Sequence, residues 1–182
     1  MIGSKTLAYR YARALADLGL AQDKLEEFGR ELASIKELFE SVPDSAQILK
    51  KPLFPKDKRE LLLSEIISQL NLSQITSNFL TQLLEKNRIE ILNLILESYQ
   101  EIVDQLVSRI RAKVFSARPL LDEEKNKLAQ TLKRRFGAKD AVLDCKVDVD
   151  LIGGVKVEIR SVVFDASLKN QLARIQSQLV EE

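Results

Sequence analysis

The chain has 182 residues, 45% of them apolar and 30% charged, with 28 Lys and Arg against 27 Asp and Glu for a net charge of +1. Such a composition belongs to an ordinary folded protein and offers no global charge for nucleic acid or an anionic membrane surface. It contains no histidine and no tryptophan, so the commonest general base and the commonest metal ligand are both missing, which excludes Ser-His-Asp and Cys-His catalysis and most zinc sites. The single cysteine, Cys145, excludes an internal disulfide and fits a reducing cytoplasm. It lies among Leu143, Val147 and Val149 and reads as a small core residue rather than a reactive thiol. No apolar run approaches the ~20 residues that span a bilayer, and the N-terminus has neither a secretory apolar core nor the Arg- and Ser-rich character of a transit peptide.

The first ~105 residues read as helices with short connections. From Ser4 to about Gly19, Leu7, Tyr11, Ala14 and Leu18 share one side, and from about Asp23 to Val42, Leu25, Phe28, Leu32, Ile35, Phe39 and Val42 repeat at three-four spacing. Pro43 stops the second helix, and Asp44 to Lys50 gives about two turns before Pro52 and Pro55. A fourth helix runs from Pro55 to about Leu70. Ser73 is a good N-cap for a fifth, with Ile75, Phe79, Leu80, Leu83 and Leu84. The sixth starts near Arg88 or Ile89 and carries Leu92, Ile95, Tyr99, Ile102 and Leu106.

Near Val107 the period changes to two, with Arg109, Arg111 and Lys113 alternating against Ile110, Ala112 and Val114. No Gly- or Ser-rich linker marks the change, so the sixth helix is expected to run almost directly into a strand. Pro119 ends that strand. Asp122 to Phe136 follows as a helix with Leu128, Leu132 and Phe136 inward and Gly137 as its stop. Strands are expected at about Ala141–Val149 and Val155–Phe164, joined tightly through Gly153-Gly154, and a last helix from about Ser167 carries Leu168, Leu172, Ile175 and Leu179. The fold class is therefore α+β, an N-terminal six-helix bundle over 1–106 followed by a small β-α-β-β-α domain over 107–182.

The apolar arcs differ in width. A helix that buries one side needs a little over ~100° of apolar surface, and the second helix keeps to that seam. On the first helix, Leu7, Tyr11, Ala14, Leu18, Leu15, Ala8, Ala12 and Ala16 sweep about half the circumference, and the fifth is similarly broad. Either both helices are central and wrapped by their own domain, or each buries one side and offers the rest as a groove for an amphipathic helix of another protein. The basic clusters say less: Lys133-Arg134-Arg135 suits the last turn of its helix, Arg109, Arg111 and Lys113 read as a solvated strand face, and Lys50-Lys51 and Lys56 to Arg59 flank turns. Gly153-Gly154 lacks the Lys-Ser/Thr and spacing of a phosphate loop. No catalytic constellation, metal site or cofactor site emerges.

Four segments together carry a resemblance: Ala8 through Leu15 (AYRYARAL), Asn78 through Leu96 (NFLTQLLEKNRIEILNLIL), Val114 through Leu121 (VFSARPLL) and Asp150 through Leu172 (DLIGGVKVEIRSVVFDASLKNQL). In this order and spacing they resemble the delta subunit of bacterial F-type ATP synthases, whose mitochondrial relative is the oligomycin-sensitivity-conferring protein. The resemblance implies a non-catalytic stator subunit, one copy per complex, peripheral on the cytoplasmic face of the bacterial membrane and without cofactor, nucleic acid or membrane insertion. It implies that the helical domain binds the N-terminal helix of an alpha subunit between its first and fifth helices, for which Leu7, Tyr11, Ala14, Leu18, Ile75, Phe79 and Leu83 are the candidate residues. It implies further that the C-terminal domain meets the ends of the b subunits. The alternative reading is an unrelated helical adaptor or nucleic-acid-binding module. Three departures from the family pattern stand out: Leu121 where a Ser N-cap is usual, no Gly or Asn for the hairpin turn around Arg160-Ser161, and Asp165-Ala166-Ser167 in place of Asp-Gly-Ser.

Overall fold

Helical spacing in the first half becomes α1 (Ile2–Ala21), α2 (Leu25–Ser41), α3 (Pro43–Lys50), α4 (Lys56–Leu70), α5 (Gln74–Glu85) and, after a single 3-10 turn at Ile89–Ile91, α6 (Leu92–Leu106). These come from a computed structural model that describes residues 2–51, 53–160 and 162–171. The chain is thus a mixed helix-and-sheet protein of two units, Met1–Val103 and Asp104–Glu182.

In the first unit the inward stripes meet in one core. Ala8, Ala12, Leu15 and Ala16 of α1 face Phe28, Leu32 and Ile35 of α2, with Leu80, Leu83 and Leu84 of α5 and Ile95, Tyr99 and Ile102 of α6. α1 runs past Gly19, where the sequence suggested a stop. A Cβ there would meet the Leu25 and Phe28 side chains at 3.2 Å, so the glycine permits the close approach of α2 rather than ending the helix. Pro43 occupies the first turn of α3, and Pro55 sits one position ahead of α4 as its N-cap; Pro52 lies outside the described residues. Tyr99 is fully buried and its hydroxyl donates to the Leu25 carbonyl at 2.8 Å.

The polar groups of this core are organised around α5. Ser73 caps the helix, its Oγ accepting from the Thr76 amide at 3.4 Å. Glu31 of α2 then accepts from the Ser73 amide at 2.7 Å, from the Ser73 hydroxyl at 2.8 Å and from the Thr76 hydroxyl. At the other end Asn87 takes φ 52°. Its amide donates to Leu84 O at 2.9 Å, and the Arg88 amide donates to Leu83 O at 2.7 Å. That bonding is a Schellman motif, which needs a left-handed residue; asparagine supplies it when glycine is absent.

The second unit contains β1 (Arg109–Ser116), α7 (Asp122–Phe136), β2 (Asp140–Val147), β3 (Val155–Ile159) and β4 (Val162–Asp165). The stretch read as one strand over Val155–Phe164 is two, paired antiparallel with Ile159 opposite Val162. Arg160 turns between them at φ 53° despite the missing glycine; Ser161 lies outside the described residues. Strand order is β2-β1-β3-β4, with β1 parallel to β2 and antiparallel to β3. β2 and β3 are therefore not neighbours, and residues 148–154 cross over β1 rather than making the tight strand connection expected of Gly153-Gly154. Ala112 and Val114 lie under Leu132 of α7, with Val157 and Ile159 beside them. Cys145 is half-buried at the edge of this core, and Phe136 is largely exposed, its ring edge-on to Phe164 at 5.9 Å.

The glycine pair is needed for another contact. The Gly153 carbonyl accepts from the Leu168 amide at 3.0 Å, and a Cβ on Gly154, whose φ is 80°, would stand 2.4 Å from the Ala166 carbonyl oxygen. The Asp165 carboxylate accepts from the Ser167 amide at 2.9 Å, and the buried Ser167 hydroxyl accepts from the Asn170 amide at 3.2 Å, opening a helical turn over 168–171. Leu172, Ile175 and Leu179 of the expected last stripe lie outside the described residues. At α7, where Leu121 has no acceptor in its side chain, Glu124 accepts from the Leu121 amide at 2.9 Å and pairs with Arg118 at 2.6 Å. That amide and the guanidinium hold its carboxyl below the usual range.

Two outcomes follow from these contacts. Burial, reinforced by the charges of Glu26 and Glu31, pushes the Tyr99 hydroxyl well above its ordinary value. Its contribution is therefore complete below ~pH 10, where the unfolded tyrosine starts to ionise, and is lost as pH rises further toward the folded value. Tyr99→Phe should lose about 1 kcal/mol in urea melts at neutral pH and decline less than the parent above ~pH 10; parallel declines would discount this role. Gly154→Ala should destabilise the chain by at least about 2 kcal/mol in thermal melts. Gly153→Ala, whose Cβ meets only the movable end of Leu168, should do less.

Candidate functional site: an apolar groove between α1 and α5

A groove of about 750 Å³ runs between α1 and α5. On the α1 side it is lined by Leu7, Tyr11, Ala14 and Leu18, and on the α5 side by Ile75 and Phe79. The Tyr11 and Phe79 rings meet edge to face across it, 6.0 Å between centroids at 74°. Ala14 is exposed and Leu18 is 49% exposed, while Leu7, Tyr11, Ile75 and Phe79 are half-buried. Both helices therefore carry two apolar faces, one closed in the core and one open to the groove.

Six of the seven residues singled out in the sequence line this groove. The seventh, Leu83, does not: it is fully buried beside Leu80 and Leu84. The reason lies in helix geometry. A step of four residues advances about 40° beyond a full turn. On α1 the steps from Leu7 are four, three and four, so the drift cancels and the stripe stays straight. On α5 the steps from Ile75 to Phe79 to Leu83 are both four, and the drift carries Leu83 round into the core. Gln82, three residues after Phe79, takes its place on the groove side.

Polar residues missed in the sequence complete the rim: Arg10, Asn78, Thr81, Gln82, Glu85 and Arg88. Arg88 is the most organised of them. Its Nη1 donates to the Tyr11 hydroxyl at 2.6 Å, and its guanidinium carbon lies 5.7 Å from the centre of the Tyr11 ring. The signal that could have found it is the Asn87-Arg88 pair at the end of the α5 stripe, where a left-handed turn redirects the following side chain.

Among the described residues, no group of three or more Cys, Asp or Glu side chains is placed to hold a metal ion, and no helix is long and apolar enough to cross a membrane. A preformed groove with apolar walls and a polar rim, on a helical unit joined to a small sheet unit, has the form of a binding module. Comparison with known proteins supplies the family. The family model of the ATP synthase delta (OSCP) subunit matches residues 7–179. The chain is 38% identical over 173 residues to ATP synthase subunit delta of Geobacter metallireducens, covering 95% of this chain and 96% of that one. It is 33% identical to that of Synechocystis sp., covering 94% and 92%. A chain of the Toxoplasma gondii mitochondrial ATP synthase hexamer shares its fold, with a TM-score of 0.71 over 96% of this chain and 97% of that one at 19% identity.

The chain belongs to the ATP synthase delta (OSCP) subunit family. It is a non-catalytic, structural subunit of the F-type ATP synthase, part of its stator and a peripheral subunit of the membrane-bound complex.

The different placements of Leu83 and Phe79 separate stability from surface. Leu83→Ala should destabilise the helical unit by about 2–5 kcal/mol in denaturant melts. Phe79→Ala, at a site open to solvent on one side, should cost clearly less; equal losses would contradict the burial described.

Proposed function

We propose that this subunit joins the alpha/beta catalytic head to the peripheral stalk, with the groove between α1 and α5 holding the N-terminal helix of an alpha subunit. In this reading residues 1–106 form a six-helix bundle on the head, and residues 107–182 meet the C-terminal ends of the b subunits. One copy serves each complex, on the cytoplasmic face of the bacterial membrane. The observation that carries the proposal is the groove itself. Leu7 to Leu18 extends ~16 Å along α1, room for about three turns of a docked helix. An amphipathic helix presents apolar side chains at i, i+3 or i+4 and i+7, the spacing that three turns of groove can receive. The aromatic pair at its centre offers the kind of anchor around which interface energy concentrates.

The joint does no chemistry. Its function is mechanical: holding the head against the rotor so that ion flow is coupled to ATP synthesis, whereas a joint that slips lets hydrolysis or ion flow run uncoupled. For the second unit the support is the family resemblance.

Titrating the full chain with a synthetic peptide carrying the N-terminal segment of the alpha subunit from the same organism tests the groove. Saturable binding is expected, with the peptide becoming helical. Phe79→Asp, which sets a carboxylate against apolar surface, should weaken binding at least roughly a hundredfold while the far-ultraviolet circular dichroism stays unchanged. Normal binding by a folded Phe79→Asp chain would overturn the assignment of this face.

A further inference from the structure

Arg59 is the buried cation of the helical unit. Only 5% of it is exposed, and among the described residues its hydrogen-bond acceptors are uncharged, a backbone carbonyl and a side-chain amide. A guanidinium taken out of water is unfavourable unless its donors are satisfied. Here Nε and Nη2 donate to the Leu49 carbonyl at 3.3 and 2.8 Å, in the last turn of α3, where the helix dipole favours a cation. Nη1 donates to the Asn87 side-chain oxygen at 2.9 Å. Asn87 is the left-handed residue of the Schellman turn that ends α5, and the next residue is Arg88, whose guanidinium holds the Tyr11 hydroxyl in the groove. Two sets of polar contacts, joined by the peptide bond between Asn87 and Arg88, therefore lead from the core to the groove: Leu49 carbonyl, Arg59 and Asn87, then Arg88 and Tyr11.

We infer that Arg59 is a positioning residue for the groove, acting through Asn87 to fix the turn that aims Arg88 at Tyr11. A non-glycine residue at positive φ is held there only when its surroundings determine it. Asn87 has its own amide bond to Leu84 O and the Arg59 bond to its side chain to do so. If the turn relaxes, the Arg88 side chain swings, and the Tyr11 ring loses the hydrogen bond and the cation that orient it. A lysine at 59 would keep the charge but could not form the forked contact to Leu49 and Asn87 together.

The inference rests on the groove being a binding site, and the test keeps the two apart. Peptide affinity is measured by titration of the full chain for the parent, Arg59→Met, Arg88→Met and the double variant. Arg59→Met should weaken binding roughly tenfold in the parent and add little in the Arg88→Met background, because the effect passes through Arg88. Equal losses in both backgrounds, or no loss in the parent, overturn the positioning role while the groove assignment stands. A parent chain that fails to bind overturns the groove assignment and this inference's consequence for binding with it. Should Arg59→Met fail to fold, Arg59→Lys keeps the charge and gives up the forked contact to Leu49 and Asn87 together. It should shift the ring resonances of Tyr11 in spectra of tyrosine-labelled protein, leave those of Tyr99 in place, and weaken the peptide. Unchanged Tyr11 resonances would overturn the link without reference to any peptide.

Discussion

Helix α5 is pinned at both ends by charges lent from neighbouring helices, and the groove depends on that. At its N-terminus Glu31 of α2 takes the Ser73 amide and the Ser73 and Thr76 hydroxyls. Beyond its C-terminus Arg59 of α4 takes the Asn87 side chain. An anion at the start and a cation past the end both match the helix dipole. Hydrogen bonds to charged groups contribute about 1.5–3 kcal/mol each, more than neutral ones. Their second effect is geometric: apolar contacts tolerate a helix rolling or sliding by a fraction of a turn, whereas directional bonds at both ends do not. α5 needs that constraint because only one of its two apolar faces is packed within the chain. Without the clasps, the apolar contacts of Leu80, Leu83 and Leu84 alone would set the rotation of α5 less closely.

Much of this was legible in the sequence, because the relevant forces are local. Pro43 marks the stop of the second helix, the Ser73 cap marks the start of the fifth, and the change of period near Val107 marks the first strand, since each acts through its own backbone or face. The broad arcs of α1 and α5 were legible for the same reason, as they follow from periodicity alone. What escaped depends on cumulative geometry or distant partners. Leu83 reads as part of the groove stripe until the 40° drift per four-residue step is added twice. β2 and β3 are adjacent in sequence but separated by β1, a long-range pairing that no local pattern reports. Glu31 bonds to residues 42 and 45 positions away, which no local pattern reports either. Arg59 was hidden among Lys56, Asp57 and Lys58 as part of a charged cluster beside a turn, and only the fold shows that it alone of the four is buried.

The glycine pair illustrates the difference between a signature and a site. Gly153-Gly154 is the most recognisable family element of the C-terminal half, yet no ligand chemistry surrounds it. Its requirement is steric, since the crossover from β2 must press against the Ala166 carbonyl and bond the Leu168 amide. Any side chain at Gly154 would push apart the end of β4 and the helix that Ser167 caps. The chain keeps the architecture at this point even where neighbouring positions depart from the family pattern. Asp165 and Ser167 still form their turn with alanine between them, and Arg160 accepts a left-handed conformation usually left to glycine or asparagine.

A stator joint must hold under load, which favours binding surfaces that are ordered before the partner arrives. Side chains that must be immobilised on binding reduce affinity by about 0.5–1.5 kcal/mol each. In the groove the Tyr11 ring is already fixed by Phe79 at its edge and Arg88 above it, and α5 is fixed at both ends. The helix proposed for it would then meet walls that need little reordering, so that apolar burial converts more fully into affinity and less into organising the site. The same logic explains why polar clasps lie behind an apolar groove. Apolar side chains supply the binding energy, while the Glu31 and Arg59 contacts, set behind the groove walls and not among its lining residues, hold the shape into which that energy is released.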